Sequence, residues 1–186
     1  SACQLAEYLC GFGSILYNFA DQGFNQSTKN LLELSGLNKR SNAFFTASNT
    51  LEDLEADIKA ANPQFVFIDM INDYINNTGV KYHEFKENIV KKYPDIGFIL
   101  IFEVTKNGDF KGDQGWTHVV DALVTIEDYI ATSKGRYGMG ERIMWDAGAK
   151  KFNPKRYQEI KEAQGETKPD QPGSSSNKLK YSFETE

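Results

Sequence analysis

Apolar positions along this chain switch between helical spacing and short unbroken runs. Leu5, Tyr8 and Leu9 share one face of a helix over Ala2–Leu9, which Gly11 and Gly13 end. The run SILYNF (14–19) follows as a strand. Residues 27–35 return to helical spacing, and Gly36 stands where a left-handed cap is favoured. Residues 43–47 form the next strand. Thr50 then caps TLEDLEADIKAA, whose acids fall in the first turns, where the helix dipole favours them. Asn62-Pro63 stops that helix, and QFVFID (64–69) is an apolar run of buried-strand length. Residues 81–93 are amphipathic, Pro94 breaks them, and GFILIF (97–102) is the strongest strand signal in the chain. The segments VVDALVTIED (119–128) and GERIMWD (140–146) add two more strands. Strands apolar throughout, separated by helices of about 10–13 residues, predict a mostly parallel sheet covered on both faces. The expected class is α/β.

Composition narrows this picture. A chain of 186 residues, 40% hydrophobic and 25% charged, suits one globular core of ordinary size. No apolar run approaches the roughly 20 residues of a membrane helix, and no cleavable signal segment opens the sequence. Lys and Arg total 21 against 26 Asp and Glu, a net charge of −5, which argues against coating nucleic acid by bulk charge. The balance is uneven. Residues 150–186 carry 8 Lys and Arg against 6 Asp and Glu, leaving the first 149 residues strongly acidic. From Gly165 onward the sequence is polar, with two prolines and a Ser run, and reads as a flexible tail after a short helix. Two cysteines and two histidines cannot build a four-ligand zinc finger of CxxC spacing, nor a disulfide scaffold. Cys3 and Cys10 share one helix face and read as core, and a cytoplasmic location is expected. His83 reads as a surface residue, His118 as a loop or core histidine, and Trp116, Trp145 and Phe110 as packing residues. Lys150, Lys151, Lys155 and Arg156 read as a solvated helix start.

In parallel sheets, ligands bind beyond the carboxyl ends of the strands. Three strand ends present acids: Asp21 past SILYNF, Asp69 closing QFVFID, and Glu103 closing GFILIF. An aspartate after buried apolar residues is what a nucleoside triphosphatase uses to hold a magnesium-bound water. The same aspartate would equally serve as a loop cap.

Five pieces in order carry a resemblance: FVFIDM; GFILIF running into EVTKNG; THVVDA; SKGRYGMG; and, upstream, ILYNFADQG with SNTLEDLEADI. Together they resemble the RadA/Sms branch of the RecA-like ATPases over residues 1 to about 152, and more distantly the DnaB-type helicase core. The matching residues are Asp69; Val104, Thr105, Lys106 and Gly108; His118, Val120 and Asp121; and Lys134, Arg136, Tyr137 and Gly138. The resemblance implies a RecA-like three-layer sandwich over 1–152, followed by a short helix and polar tail over 153–186. It implies ATP and Mg2+ as cofactors, with Asp69 holding magnesium through water and Asp21 polarising the attacking water. Glu103 would stand where the family senses the γ-phosphate. Lys134 and Arg136, on an exposed loop, would complete a neighbour's site within a homo-oligomeric ring or filament. Lys106 and Lys111 would contact DNA. The implied function is a DNA-dependent recombination or repair motor.

The sequence departs from that pattern in several places. No GxxxxGK[ST] phosphate loop occurs in it, although the family places one just before the opening helix. The preferred expectation is that the loop lies upstream of Ser1; the alternative is a non-catalytic RecA-like subunit that assembles with active partners. Asp21 replaces the usual Glu, Glu103 the usual His or Gln, and Gly135 the Asn of the Lys-Asn-Arg motif.

Overall fold

The computed structural model describes residues 2–104, 115–136 and 139–165. They divide into two compact units, Ser1–Val120 and Asp121–Glu186.

The first unit is an α/β layer structure. Strands β1 (Ile15–Phe19), β2 (Ala43–Thr46), β3 (Phe65–Asp69) and β4 (Gly97–Ile101) form one parallel sheet in the order β2-β1-β3-β4. Alternation along the two central strands sends side chains to opposite faces. Ile15, Tyr17, Phe19 and Phe67 pack with Cys3 and Ala6 of α1 (Ala2–Leu9) and with Leu31 and Leu32 of α2 (Gln26–Ser35). Leu16, Val66 and Ile68 pack against the other layer: α3 (Leu51–Ala61), α4 (Ile71–Thr78), α5 (Tyr82–Asn88) and Trp116 of the short α6 (Gly115–Val119). Each fully buried Leu, Ile or Phe in these layers contributes roughly 1.5–3 kcal/mol. Both cysteines are free and buried, as expected of core residues.

The local signals explain most boundaries. Thr50 accepts a hydrogen bond from the Asp53 amide at 3.1 Å, and Gly36 takes the left-handed conformation (φ 76°) that closes α2. Helix α4 was not foreseen: INDYINNT is rich in Asn and Thr, poor helix formers, and tertiary burial of Ile71, Asn72 and Tyr74 overrides that propensity. The helix expected over 81–93 is shorter. Ile89, its side chain buried, caps α5 with φ −117°, and a 3-10 turn, Val90–Lys92, completes the segment.

The second unit corrects the expectation of a single, mostly parallel sheet. Strands β5 (Ala122–Glu127), β6 (Ile130–Gly135) and β7 (Gly140–Ile143) form a separate antiparallel sheet in that order. Asp128 and Tyr129 join β5 to β6 as a two-residue turn, both with positive φ, and so tight a connection permits only antiparallel pairing. Helices α7 (Asp146–Phe152) and α8 (Pro154–Ala163) follow, and Ile130, Ala149 and Ile160 form a small core there. The polar tail expected after Gly165 lies outside the described residues. Among those described, no helix is long and apolar enough to cross a membrane.

Candidate active site at the strand ends

Parallel pairing of β1 and β3 sets Phe19 beside Asp69, so the last residue of β3 and the turn that carries Asp21 leave the sheet together. Asp69 is half-buried and Asp21 exposed. The Tyr17 hydroxyl, fully buried on β1, donates to Asp69 Oδ2 at 2.5 Å. Its ring stacks on Phe67 with centroids 5.2 Å apart, which fixes the direction of that donation. Cys3 on α1 is buried in the same cluster as Tyr17.

Burial raises the Asp69 carboxyl above its usual range and the Asp21 charge raises it further, while the Tyr17 hydrogen bond acts in the opposite sense. Tyr17 is held well above the usual phenol range, first by burial and then by the Asp69 charge. Burial likewise raises the Cys3 thiol. Tyr17 and Asp69 are therefore a hydrogen-bonded pair running from the interior to the strand end, with the buried Cys3 thiol packed behind them.

A second polar group lies on the neighbouring strands and went unnoticed in the sequence. Asn18, fully buried on β1, donates from Nδ2 to the Ser48 carbonyl at 3.0 Å. Thr46 at the end of β2 donates to Asp57 Oδ2 at 2.5 Å, and Ser48 donates to the same oxygen. Asn18 Oδ1 has no partner among the described residues. The available signal was Asn18 itself, a polar residue inside the apolar run SILYNF.

Glu103 lies two residues past β4, exposed, with its amide donating to Asn72 Oδ1 of α4 at 2.8 Å. That hydrogen bond ties the chain leaving β4 to the helix that begins just after Asp69. Lys134 and Arg136 belong to the second unit. Lys134 is on β6 opposite Leu123, not in the loop expected for it, because the tight Asp128–Tyr129 turn sets the strand pairing through to Gly135. Arg136 follows the strand; its amide donates to the Asp121 carbonyl at 2.9 Å, and its guanidinium lies 3.5 Å from the Asp121 carboxylate, both side chains mostly exposed. Lys106 and Lys111, the residues expected to meet DNA, lie outside the described residues, as do Tyr137 and Gly138.

The donor set bears on magnesium directly. Among the described residues, no group of three or more His, Cys, Asp or Glu side chains could hold a metal ion by itself. Asp69 with Asp21 nearby suits a hydrated cation, whose water shell needs only one or two carboxylates from the protein. A triphosphate needs a cradle of backbone amides and a lysine, and the sequence contains no phosphate-loop motif to supply it. No protein-family model matches the chain, and no curated protein matches its sequence.

Proposed function

We propose that the chain is the ATPase core of a RadA-like, DNA-dependent recombination or repair motor of RecA-like fold. The observation that carries this reading is Asp69, a half-buried carboxylate closing a central parallel strand with Asp21 beside it and Glu103 past the next strand. Asp69 would hold a magnesium-bound water, oriented by Tyr17, which engages one carboxylate oxygen. Magnesium would supply charge neutralisation of the triphosphate oxygens. Asp21, exposed on the turn after β1, would orient and polarise the attacking water. Lys134 and Arg136 would reach a neighbour's γ-phosphate within a homo-oligomer, where an arginine finger is worth about 10³ to 10⁵ in rate. Lys106 and Lys111 would pair with DNA phosphates.

Glu103, where the family has His or Gln, and Asp21, where it has Glu, favour a second reading, a RecA-like subunit that assembles with active partners and does not turn over nucleotide. One experiment separates the two. The chain alone should release no phosphate from ATP above background. A chain carrying a phosphate loop ahead of α1 should hydrolyse ATP with magnesium, faster with DNA. In that chain, Asp69→Asn should remove most turnover and Arg136→Ala should abolish it, and mixing the two variants should restore part of it. Turnover by Asp69→Asn within about twofold of its parent would leave Asp69 as a strand-end cap and defeat the ATPase reading.

A further inference from the structure

The second unit fixes three aromatic rings in place without burying them. Asp128 and Tyr129 at the β5–β6 turn both adopt left-handed backbones, φ 49° and 63°, which non-glycine residues take up only when their surroundings compel it. The Met144 amide donates to the Tyr129 carbonyl at 2.8 Å. The Tyr129 ring meets Trp145 edge to face, centroids 4.8 Å apart, and Phe152 at 5.8 Å. Gly148 lies against this cluster. A Cβ there would come within 2.4 Å of Trp145 and 2.5 Å of Tyr129, so the ring positions depend on a residue without a side chain. Yet the rings stay about half exposed: Tyr129 42%, Trp145 53% and Phe152 55%. Trp116, at 2%, shows what a packing tryptophan of this protein looks like.

Cations lie on the same helices and beside one of the rings. Lys150 and Lys151 end α7, Lys155 opens α8, and all three are exposed. No carboxylate among the described residues pairs with them, whereas four acids of the neighbouring elements are engaged. Asp146 pairs with Lys161, Asp128 accepts from Asn153, and Glu141 and Glu159 bind Arg156. Lys151 Nζ stands 5.2 Å from the centre of the Phe152 ring, which places charge at the edge of the aromatic surface.

Fixed, half-exposed rings on elements whose exposed lysines have no carboxylate partner among the described residues complement a polyanion with flat faces. An apolar protein partner would use the rings but strand the lysines, and a duplex would use the lysines but hide its base faces. We infer that this surface binds single-stranded nucleic acid, with bases stacked on Tyr129, Trp145 and Phe152 and phosphates paired with Lys150, Lys151 and Lys155. The inference goes beyond the ATPase reading and needs no nucleotide, because every residue it uses lies in the second unit.

Trp116 and Trp145 are the two tryptophans of the chain, and only the second is exposed, so tryptophan emission reports the stacking. Titration of the full chain with labelled oligo-dT or oligo-dA of about 16 nucleotides should quench that emission in step with the rise in oligonucleotide anisotropy. Trp145→Ala should weaken binding about 5- to 150-fold, the range of one lost base–aromatic stack, while Trp145→Phe should keep most of it. Changing Lys150, Lys151 and Lys155 together to Gln perturbs no packed residue. It should weaken binding and lower the slope of log affinity against log salt by about 2, with circular dichroism unchanged. Four results would overturn the inference: binding without quenching, a triple-lysine variant of unchanged affinity and slope, no binding at all, or a Trp145-dependent self-association in sedimentation that excludes the oligonucleotide. Binding that survives these changes but vanishes in Lys106→Gln with Lys111→Gln also overturns it while leaving the DNA-motor reading standing; the reverse pattern supports it.

Discussion

Replacing Tyr17 with Phe removes one oxygen from a fully buried ring and leaves its stacking on Phe67 in place. What is lost is the hydroxyl that donates to Asp69 Oδ2 at 2.5 Å. A hydrogen bond to a charged group contributes about 1.5–3 kcal/mol, and Asp69 is sheltered enough from solvent for that range to apply. The expected loss at neutral pH is therefore about 1.5–3 kcal/mol, measured by urea unfolding with coincident circular dichroism and tryptophan fluorescence. The dependence on pH has a definite sign. Burial and Asp21 raise the folded carboxyl above its unfolded value. Below the unfolded value both states are protonated and the raised pKa carries no penalty. As pH rises the unfolded chain ionises first, so stability falls until the folded carboxyl has ionised too. Without the Tyr17 hydroxyl the folded carboxyl rises further, which deepens the neutral-pH penalty. In acid the difference between Tyr17→Phe and parent should shrink to that of a neutral hydrogen bond, about 1 kcal/mol.

A double-mutant cycle isolates the charge. Asn at position 69 can still accept from Tyr17 but carries no charge, so in the Asp69→Asn background Tyr17→Phe should cost only about 1 kcal/mol. Equal losses in both backgrounds, or a loss under about 0.5 kcal/mol in the parent, would refute the claim that Tyr17 serves the Asp69 carboxylate.

Two further outcomes are expected. Gly148→Ala places a Cβ within 2.4 Å of Trp145 and 2.5 Å of Tyr129, and should destabilise the second unit by about 1–3 kcal/mol, seen as faster amide exchange in α7 and around the Asp128–Tyr129 turn while the first unit is unaffected. Glu55 on α3 is held down to about 2 by Lys59 and Lys92, against an ordinary 4.5. Its contribution is present above the ordinary value and disappears as pH falls through the lowered one. Thermal melts of Glu55→Gln and parent should accordingly converge between about pH 4.5 and pH 2, and a gap that persists at the acid end would show that the ion pairs are not its source.

The four parallel strands were legible because strands buried on both faces read as unbroken apolar runs. SILYNF, QFVFID and GFILIF each mark a strand to within a residue or two. Orientation was not legible for the later strands. DALVTIE reads as a strand, but whether it pairs parallel or antiparallel is decided by the next connection, and Asp128-Tyr129 lacks the Asn-Gly or Gly signature that announces a tight hairpin. The same omission hid β6, whose IATSKG carries charge and glycine and so looks like a loop. Helix α4 was hidden for the opposite reason, since its helicity derives from burial of Ile71 and Tyr74 and not from propensity.

The strand-end site divides along the same physical line. Asp69 and Asp21 were readable because an acid after a buried run breaks the pattern, and a break in a pattern is visible in one dimension. Tyr17 was not, since a tyrosine in an apolar strand fits the pattern, and only the register of β1 against β3 turns its hydroxyl toward Asp69. The exposure of the aromatic cluster in the second unit was hidden by the same logic. Trp145, taken singly, looks like core; it stays exposed because the unit's buried centre among the described residues is Ile130, Ala149 and Ile160, too small to enclose three rings. A β4 that is apolar over its whole length yet ends the sheet poses the same kind of mismatch. Its half-buried Phe98, Ile99, Leu100 and Ile101 have the composition of a strand paired on both sides, while among the described residues only β3 pairs with it. Edge strands are ordinarily protected by charge, proline or a bulge, and GFILI carries none of these. Among the described residues, a composition written for a central position thus sits at an edge, because burial on both faces, and not the number of paired neighbours, selects an unbroken apolar run.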